Sequence, residues 1–223
     1  MFILFHILGK IEYMSISPLN TALLIIDMQR DFCQKGGYAD SIGLDINLLR
    51  KPIFNINKLL KWARNLNMLV IHTREGHRVD LTDLPIIKRE RTLLANAEIG
   101  HQGPLGKLMI RGEYGHDFID ELQPISGEPI IDKPGYSAFV YTDLELILRN
   151  KEIKNLIITG VTTEVCVSST FRHATDLGFY CITVADACAS ANISLHQAAL
   201  EMIKVENGIF GILKSTNELI SLI

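Results

Sequence analysis

Apolar and polar positions along the chain follow two rhythms. Short, nearly unbroken apolar runs at 22–26, 68–71, 129–131, 156–158, 180–184 and 209–213 predict strands. Runs that brief, without polar alternation, suit strands covered on both faces. Between them, apolar residues recur at helical spacing over 44–65, 142–150, 164–177 and 194–205. Leu48, Leu49, Ile53, Ile56, Leu59 and Leu60 mark one face of the first of these helices. Strands alternating with helices predict an α/β fold of three layers, a doubly wound and mostly parallel sheet with helices on both faces. The rhythm fails over 74–128, which is rich in Gly, Pro and charge. Residues 1–20 read as an N-terminal extension and 21–223 as a single domain. Within that domain, 74–128 is a loop-rich insertion over the active site or at an oligomer interface.

Length and composition narrow the function. The 223 residues suit one large domain, and 48% hydrophobic content allows a sizeable core. A net charge of −3 gives no electrostatic reason to expect nucleic acid or an anionic membrane as partner. No apolar run reaches the roughly 18 residues of a membrane span. The apolar N-terminus, MFILFHILGKIEYMS, lacks leading basic residues and a small-residue cleavage site. It reads as an extra strand, a docked arm or an upstream start before Met14, not as a signal peptide. Cys33, Cys166, Cys181 and Cys188 show no CxxC spacing, so free thiols in a reducing cytoplasm are expected.

In an open parallel sheet, ligands bind beyond the carboxyl ends of the strands. Asp27 follows the first apolar run in IIDMQRDF, Lys133 follows the third in IIDKPGYSAF, and Cys166 follows the fourth in LIITGVTTEVCVSST. A lone Asp there is usually a turn residue, a lone Lys solvated, and a lone Cys inert core. Their joint placement on one edge points instead to a site. Cys166 is expected in the first turn of a helix, where unpaired N–H groups and a nearby ammonium lower a thiol pKa toward neutrality. Asp27 is then the base, Lys133 its counter-ion, and the N–H groups of Thr162 and Cys166 an oxyanion hole. Cys181 is expected inside a strand and Cys188 in a loop, neither with an activating partner.

These residues carry a resemblance. The motifs ALLIIDMQRDF, DKPGYSAF and ITGVTTEVCVSSTFRHATDLGFYCITVADA resemble the isochorismatase-like cysteine hydrolases, a superfamily that includes the nicotinamidases. The likeness runs from about Thr21 to Leu213 and implies the isochorismatase-like, Rossmann-like fold. It implies an Asp27, Lys133 and Cys166 triad and a cis peptide joining Val161 to Thr162. The segments HTREGHRVDLTDLP and RGEYGHDFIDELQPISGEPIIDKPG look closest to the biuret hydrolase and ureidoacrylate amidohydrolase branch. That branch implies cleavage of a small urea-like amide through a thioester. A nicotinamidase- or isochorismatase-type hydrolase, or a non-catalytic thiol-based binding or redox protein, is the alternative. The region His72 to His77 lacks the Asp-x-His set of nicotinamidases, so no metal and no other cofactor is expected, and both histidines read as hydrogen-bonded loop residues. Phe32, Glu75, Tyr136, Phe139 and Glu206 are substrate-binding candidates. Biuret hydrolases tend to have Gln where Glu206 stands. The resemblance also implies a homo-oligomer, a dimer or tetramer.

Overall fold

The computed structural model describes residues 2–7 and 10–221, with side chains from residue 16 to 221. Among these, ten strands run in chain order: β1 (Phe2–Ile7), β2 (Lys10–Ser15), β3 (Thr21–Ile26), β4 (Leu69–Glu75), β5 (Gln102–Gly103), β6 (Gly106–Lys107), β7 (Ile130–Lys133), β8 (Asn155–Val161), β9 (Tyr180–Ala189) and β10 (Ile212–Lys214). Six form one sheet in the order β10-β9-β8-β3-β4-β7, every neighbouring pair parallel. This is the doubly wound order, with its switch point between β3 and β8. The N-terminal extension adds no strand to that sheet, because β1 and β2 pair with each other, antiparallel. Met1, Leu8, Gly9, Leu222 and Ile223 lie outside the described residues.

The period of two in β3 divides the core. Leu23 and Ile25 face helices 46–50 and 53–65, in a cluster that includes Ile56, Leu59 and Leu60. Ala22, Leu24 and Ile26 face the other way, onto helices 144–150, 168–176 and 193–203 through Leu144, Phe171 and Ile203. Each of the large aliphatic side chains contributes about 1.5–3 kcal/mol by burial. No helix among the described residues is long and apolar enough to cross a membrane.

Three expected elements differ for local reasons. The helix expected over 44–65 is two helices, Ile46–Arg50 and Ile53–Asn65, divided at Pro52, which has no N–H to donate. The helix expected over 164–177 begins as a π turn, Thr163–Val167, before the α-helix Ser168–Asp176. Cys188 lies inside β9 and not in a loop, since β9 continues past a register shift and sets Cys188 opposite Gly160. The 74–128 segment holds a helix, Ile86–Leu94, whose polarity is inverted. Lys88 and Thr92 are buried, whereas Ile86, Ile87, Leu93 and Leu94 are exposed.

Gly160 is where β8 presses against β3. Its φ is +108°, and a Cβ there would overlap the backbone oxygen of Ile26. Gly160→Ala is expected to lower unfolding free energy by about 2–4 kcal/mol in urea titration, through backbone strain and overpacking.

Candidate active site

The carboxyl ends of four adjacent strands supply the site. Asp27 follows β3, Glu75 ends β4, Lys133 ends β7, and Cys166 sits in the π turn after β8. Parallel pairing sets Glu75 directly beside Lys133. The chain turns sharply at Asp27, whose φ is +52° and whose N–H is held by the carbonyl and hydroxyl oxygens of Thr73.

The Lys133 ammonium is the centre of the cluster. Its Nζ lies 2.8 Å from Asp27 Oδ2, 3.1 Å from Glu75 Oε2 and 3.5 Å from Cys166 Sγ, and it donates to Gly135 O at 2.9 Å. The lysine is wholly buried, and a charge so placed persists only when paired and hydrogen-bonded. Thr73 Oγ1 donates to Asp27 Oδ1 at 2.6 Å. Cys166 Sγ donates to Glu75 Oε2 at 3.1 Å, and Lys88 Nζ holds Glu75 Oε1 at 2.6 Å. Lys88 also donates to Pro134 O at 2.8 Å. Ligand atoms of Asp27, Glu75 and Cys166 lie within 4.8 Å of one another. The Lys133 ammonium contacts all three, so it supplies the positive charge of that small cage.

The environments of the two carboxylates push them apart. Burial, opposed in part by Lys133 and reinforced by Glu75, raises the Asp27 pKa. Burial would raise Glu75 as well, but Lys133 and Lys88 outweigh it and draw its pKa down to about 2. Burial lowers the Lys133 pKa strongly, but Asp27, Cys166 and Glu75 together outweigh it and raise the pKa above its ordinary value. The Cys166 thiol is pushed well above the ordinary range, by burial first and then by Glu75 and Asp27, against the pull of Lys133. This corrects the expectation of a lowered thiol pKa. The π turn leaves Cys166 only 4% exposed, and its nearest acceptor is a carboxylate. With the proton on sulfur, two ammoniums balance two carboxylates.

The other expected residues divide. The Val161–Thr162 peptide is cis, and the carbonyl of Thr162 accepts from the N–H groups of Val165 and Val167. Tyr136 is 42% exposed beside the cluster, with Lys88 Nζ 5.1 Å from its ring centre. Phe32 is nearly buried and meets Tyr38 edge-on at 6.1 Å. Phe139 belongs to the core, where it stacks on Phe179 at 6.0 Å. Glu206 is exposed in a left-handed turn, φ +50°, between helix 193–203 and β10; none of the hydrogen bonds around Lys133 involves it. Glu75, expected to line a pocket, is instead at the heart of the cluster.

A family model for the isochorismatase domain matches residues 21–218. Ureidoacrylate amidohydrolase RutB of Serratia proteamaculans is 35% identical over 191 residues, 84% of this chain and 77% of that protein. The RutB of Acinetobacter baylyi is 34% identical over 197 residues, 86% of this chain and 80% of that protein. The chain belongs to the isochorismatase family. Among solved structures, a cysteine hydrolase from Pseudomonas syringae superposes with a TM-score of 0.79 at 28% identity, covering 92% of this chain and 93% of that one. Nicotinamidase PncA of Bacillus subtilis gives 0.67 at 26%, covering 88% of this chain and 99% of that one.

Within this isochorismatase-family site, several contributors are invisible in the sequence pattern. Gln29 accepts the Glu75 N–H at 2.7 Å and donates to the Glu75 carbonyl at 3.0 Å, clamping the end of β4. Burial and the nearby Glu75, Tyr136 and Cys166 push the Tyr38 pKa up to about 12. Asp31 accepts from the N–H groups of Tyr38 and Met109, tying two loops to the first motif. The histidines are buried and hydrogen-bonded, His72 within β4 to Glu128 at 2.9 Å and His77 to Asp83 at 3.2 Å. A cleft of about 410 Å³ lined by Leu19, Arg64, Met68 and Glu128 opens at the opposite, amino-terminal edge of the sheet.

A buried, protonated thiol alkylates slowly. Iodoacetamide is expected to modify Cys166 of the substrate-free protein at least about tenfold more slowly at pH 7 than a free cysteine. Rapid labelling, read by peptide mass spectrometry, would show an already ionised sulfur.

Proposed function

We propose that this chain hydrolyses a small urea-type amide through a thioester on Cys166. The chain is a hydrolase of linear carbon–nitrogen amide bonds, and its relatives include proteins named ureidoacrylate amidohydrolase. The observation that carries the finer reading is Lys133 Nζ within 2.8–3.5 Å of Asp27, Glu75 and Cys166 at the switch point of the sheet.

In this reading, Asp27 takes the thiol proton as Cys166 Sγ attacks the carbonyl carbon. The carbonyl electrons move to oxygen, and the N–H groups of Thr162 and Cys166 receive that oxyanion, an effect of roughly 3–4 kcal/mol per donor. The oxyanion collapses, the C–N bond breaks, and Asp27 returns the proton to the departing nitrogen. Water then loses a proton to Asp27 and attacks the thioester. The C–S bond breaks, the acid is released, and Asp27 reprotonates sulfur. A raised carboxylate pKa suits this double duty, since the best base has a pKa near the working pH. The raised thiol pKa and deep burial disfavour a redox-sensing role, which needs an accessible thiolate. The free cysteines fit a reducing compartment such as the cytoplasm.

Ammonia or amine release from a panel of biuret, ureido compounds and nicotinamide tests the reading. Turnover of urea-type amides is expected, and silence across the panel overturns it. Cys166→Ala is expected to lower kcat by at least about 1,000-fold while leaving the melting temperature within a few degrees. The pH profile follows from Asp27. Its base form is lost as pH falls through a raised pKa, so kcat/KM is expected to fall on the acid side above pH 4. Lys133, with its raised pKa, stays charged through pH 10 and adds no loss there.

A further inference from the structure

We infer that Glu75 sets the substrate class by accepting the N–H of the nitrogen that stays on the carbonyl carbon, so that urea-type N–CO–N substrates are preferred to carbon-type C–CO–N amides. This rests on the amidohydrolase reading above and assigns a distinct job to the second carboxylate.

The geometry gives the reason. In the free enzyme, Glu75 Oε2 receives the Cys166 thiol at 3.1 Å. When the sulfur gives up its proton and attacks, Oε2 loses that donor and keeps only Lys133. A buried carboxylate oxygen deprived of a donor is destabilised. The nitrogen retained by a urea-type substrate is then two bonds from Sγ, within reach of the vacated lone pair. A carbon-type amide presents a CH₂ at that position and offers nothing.

The two carboxylates are not interchangeable in this task. Glu75 is pinned between two ammoniums, Lys133 at 3.1 Å on one oxygen and Lys88 at 2.6 Å on the other. So held, it stays ionised and accepts hydrogen bonds without passing protons on. That fits the nitrogen that remains and not the one that must be protonated to leave, which falls to Asp27. Lys88 comes from the inverted helix 86–94, so the insertion reaches into the site to fix this acceptor. Lys88 is a positioning residue.

Biuret and malonamide separate the possibilities. They match in size and in both carbonyls and differ by a central N–H against CH₂. The wild type is expected to favour biuret in kcat/KM by about 100-fold or more. Glu75→Gln is expected to cut that ratio at least about tenfold, chiefly by loss on biuret. Lys88→Met keeps the acceptor and removes its anchor, so KM for biuret should rise about tenfold with kcat within about threefold. A preference unchanged in Glu75→Gln, or an equal loss on both amides, overturns the assignment. Calorimetric binding of both amides to Cys166→Ala reads the same contact without turnover. Tighter binding of biuret that Glu75→Gln erases supports the role, even if the wild type cleaves neither compound. Equal binding of the two amides overturns it.

Discussion

A positive charge sealed from water organises this end of the molecule. Moving an ammonium into a protein interior costs several kcal/mol unless its partners are close and well aligned. Lys133 meets that demand with two carboxylates, a carbonyl and a thiol, drawn from the ends of four strands. The strand register is therefore a condition of the site. If β7 slipped one residue against β4, Lys133 would turn to the opposite face and leave Asp27 and Glu75 as two unpaired buried anions.

The motif DMQRDF shows how one short stretch serves both chemistry and architecture. Asp27 faces Lys133, while Gln29 grips the backbone of Glu75. Arg30 pairs with Asp120 at 2.6 Å, and Asp31 receives the N–H groups of Tyr38 and Met109. The 74–128 segment is thus anchored to the strand end that carries the proposed base. It returns the contact through Lys88, so the segment that looks least regular in sequence is tied to the site at both ends.

The sheet and the central trio were readable because each rests on a strong local signal. Both-face burial forces unbroken apolar runs; Asp27 and Lys133 stand just beyond two of them, and Cys166 in the turn that follows a third. Lys88 gave no such signal. Helix 86–94 turns its lysine inward and its leucines outward, since Glu75 needs a counter-ion more than the core needs another leucine there. Gln29 grips Glu75 and Tyr38 meets Phe32 through contacts across loops, which no periodicity encodes. Phe139 follows Lys133 by six residues, yet its ring stacks on Phe179, because the turn at 134–138 sends the chain back into the core. The state of the sulfur departs from expectation for a related reason: helix position points to a thiolate, but Glu75, expected only as a pocket residue, stands beside it.

A neutral resting thiol is compatible with the proposed covalent chemistry. Proton transfer from Cys166 to Asp27 moves charge within the cluster without changing its total. Two ammoniums still face two negative charges, now on Glu75 and sulfur instead of Glu75 and Asp27. Both positions lie close to Lys133, at 2.8 Å for Asp27 and 3.5 Å for Cys166. The electrostatic penalty of making the thiolate is therefore the difference between two short contacts to one cation, much less than that of creating a new buried charge. The same proton balance keeps sulfur quiet when no carbonyl is present, because an ion pair between Asp27 and Lys133 is the better use of that cation until carbon–sulfur bond formation draws the charge away.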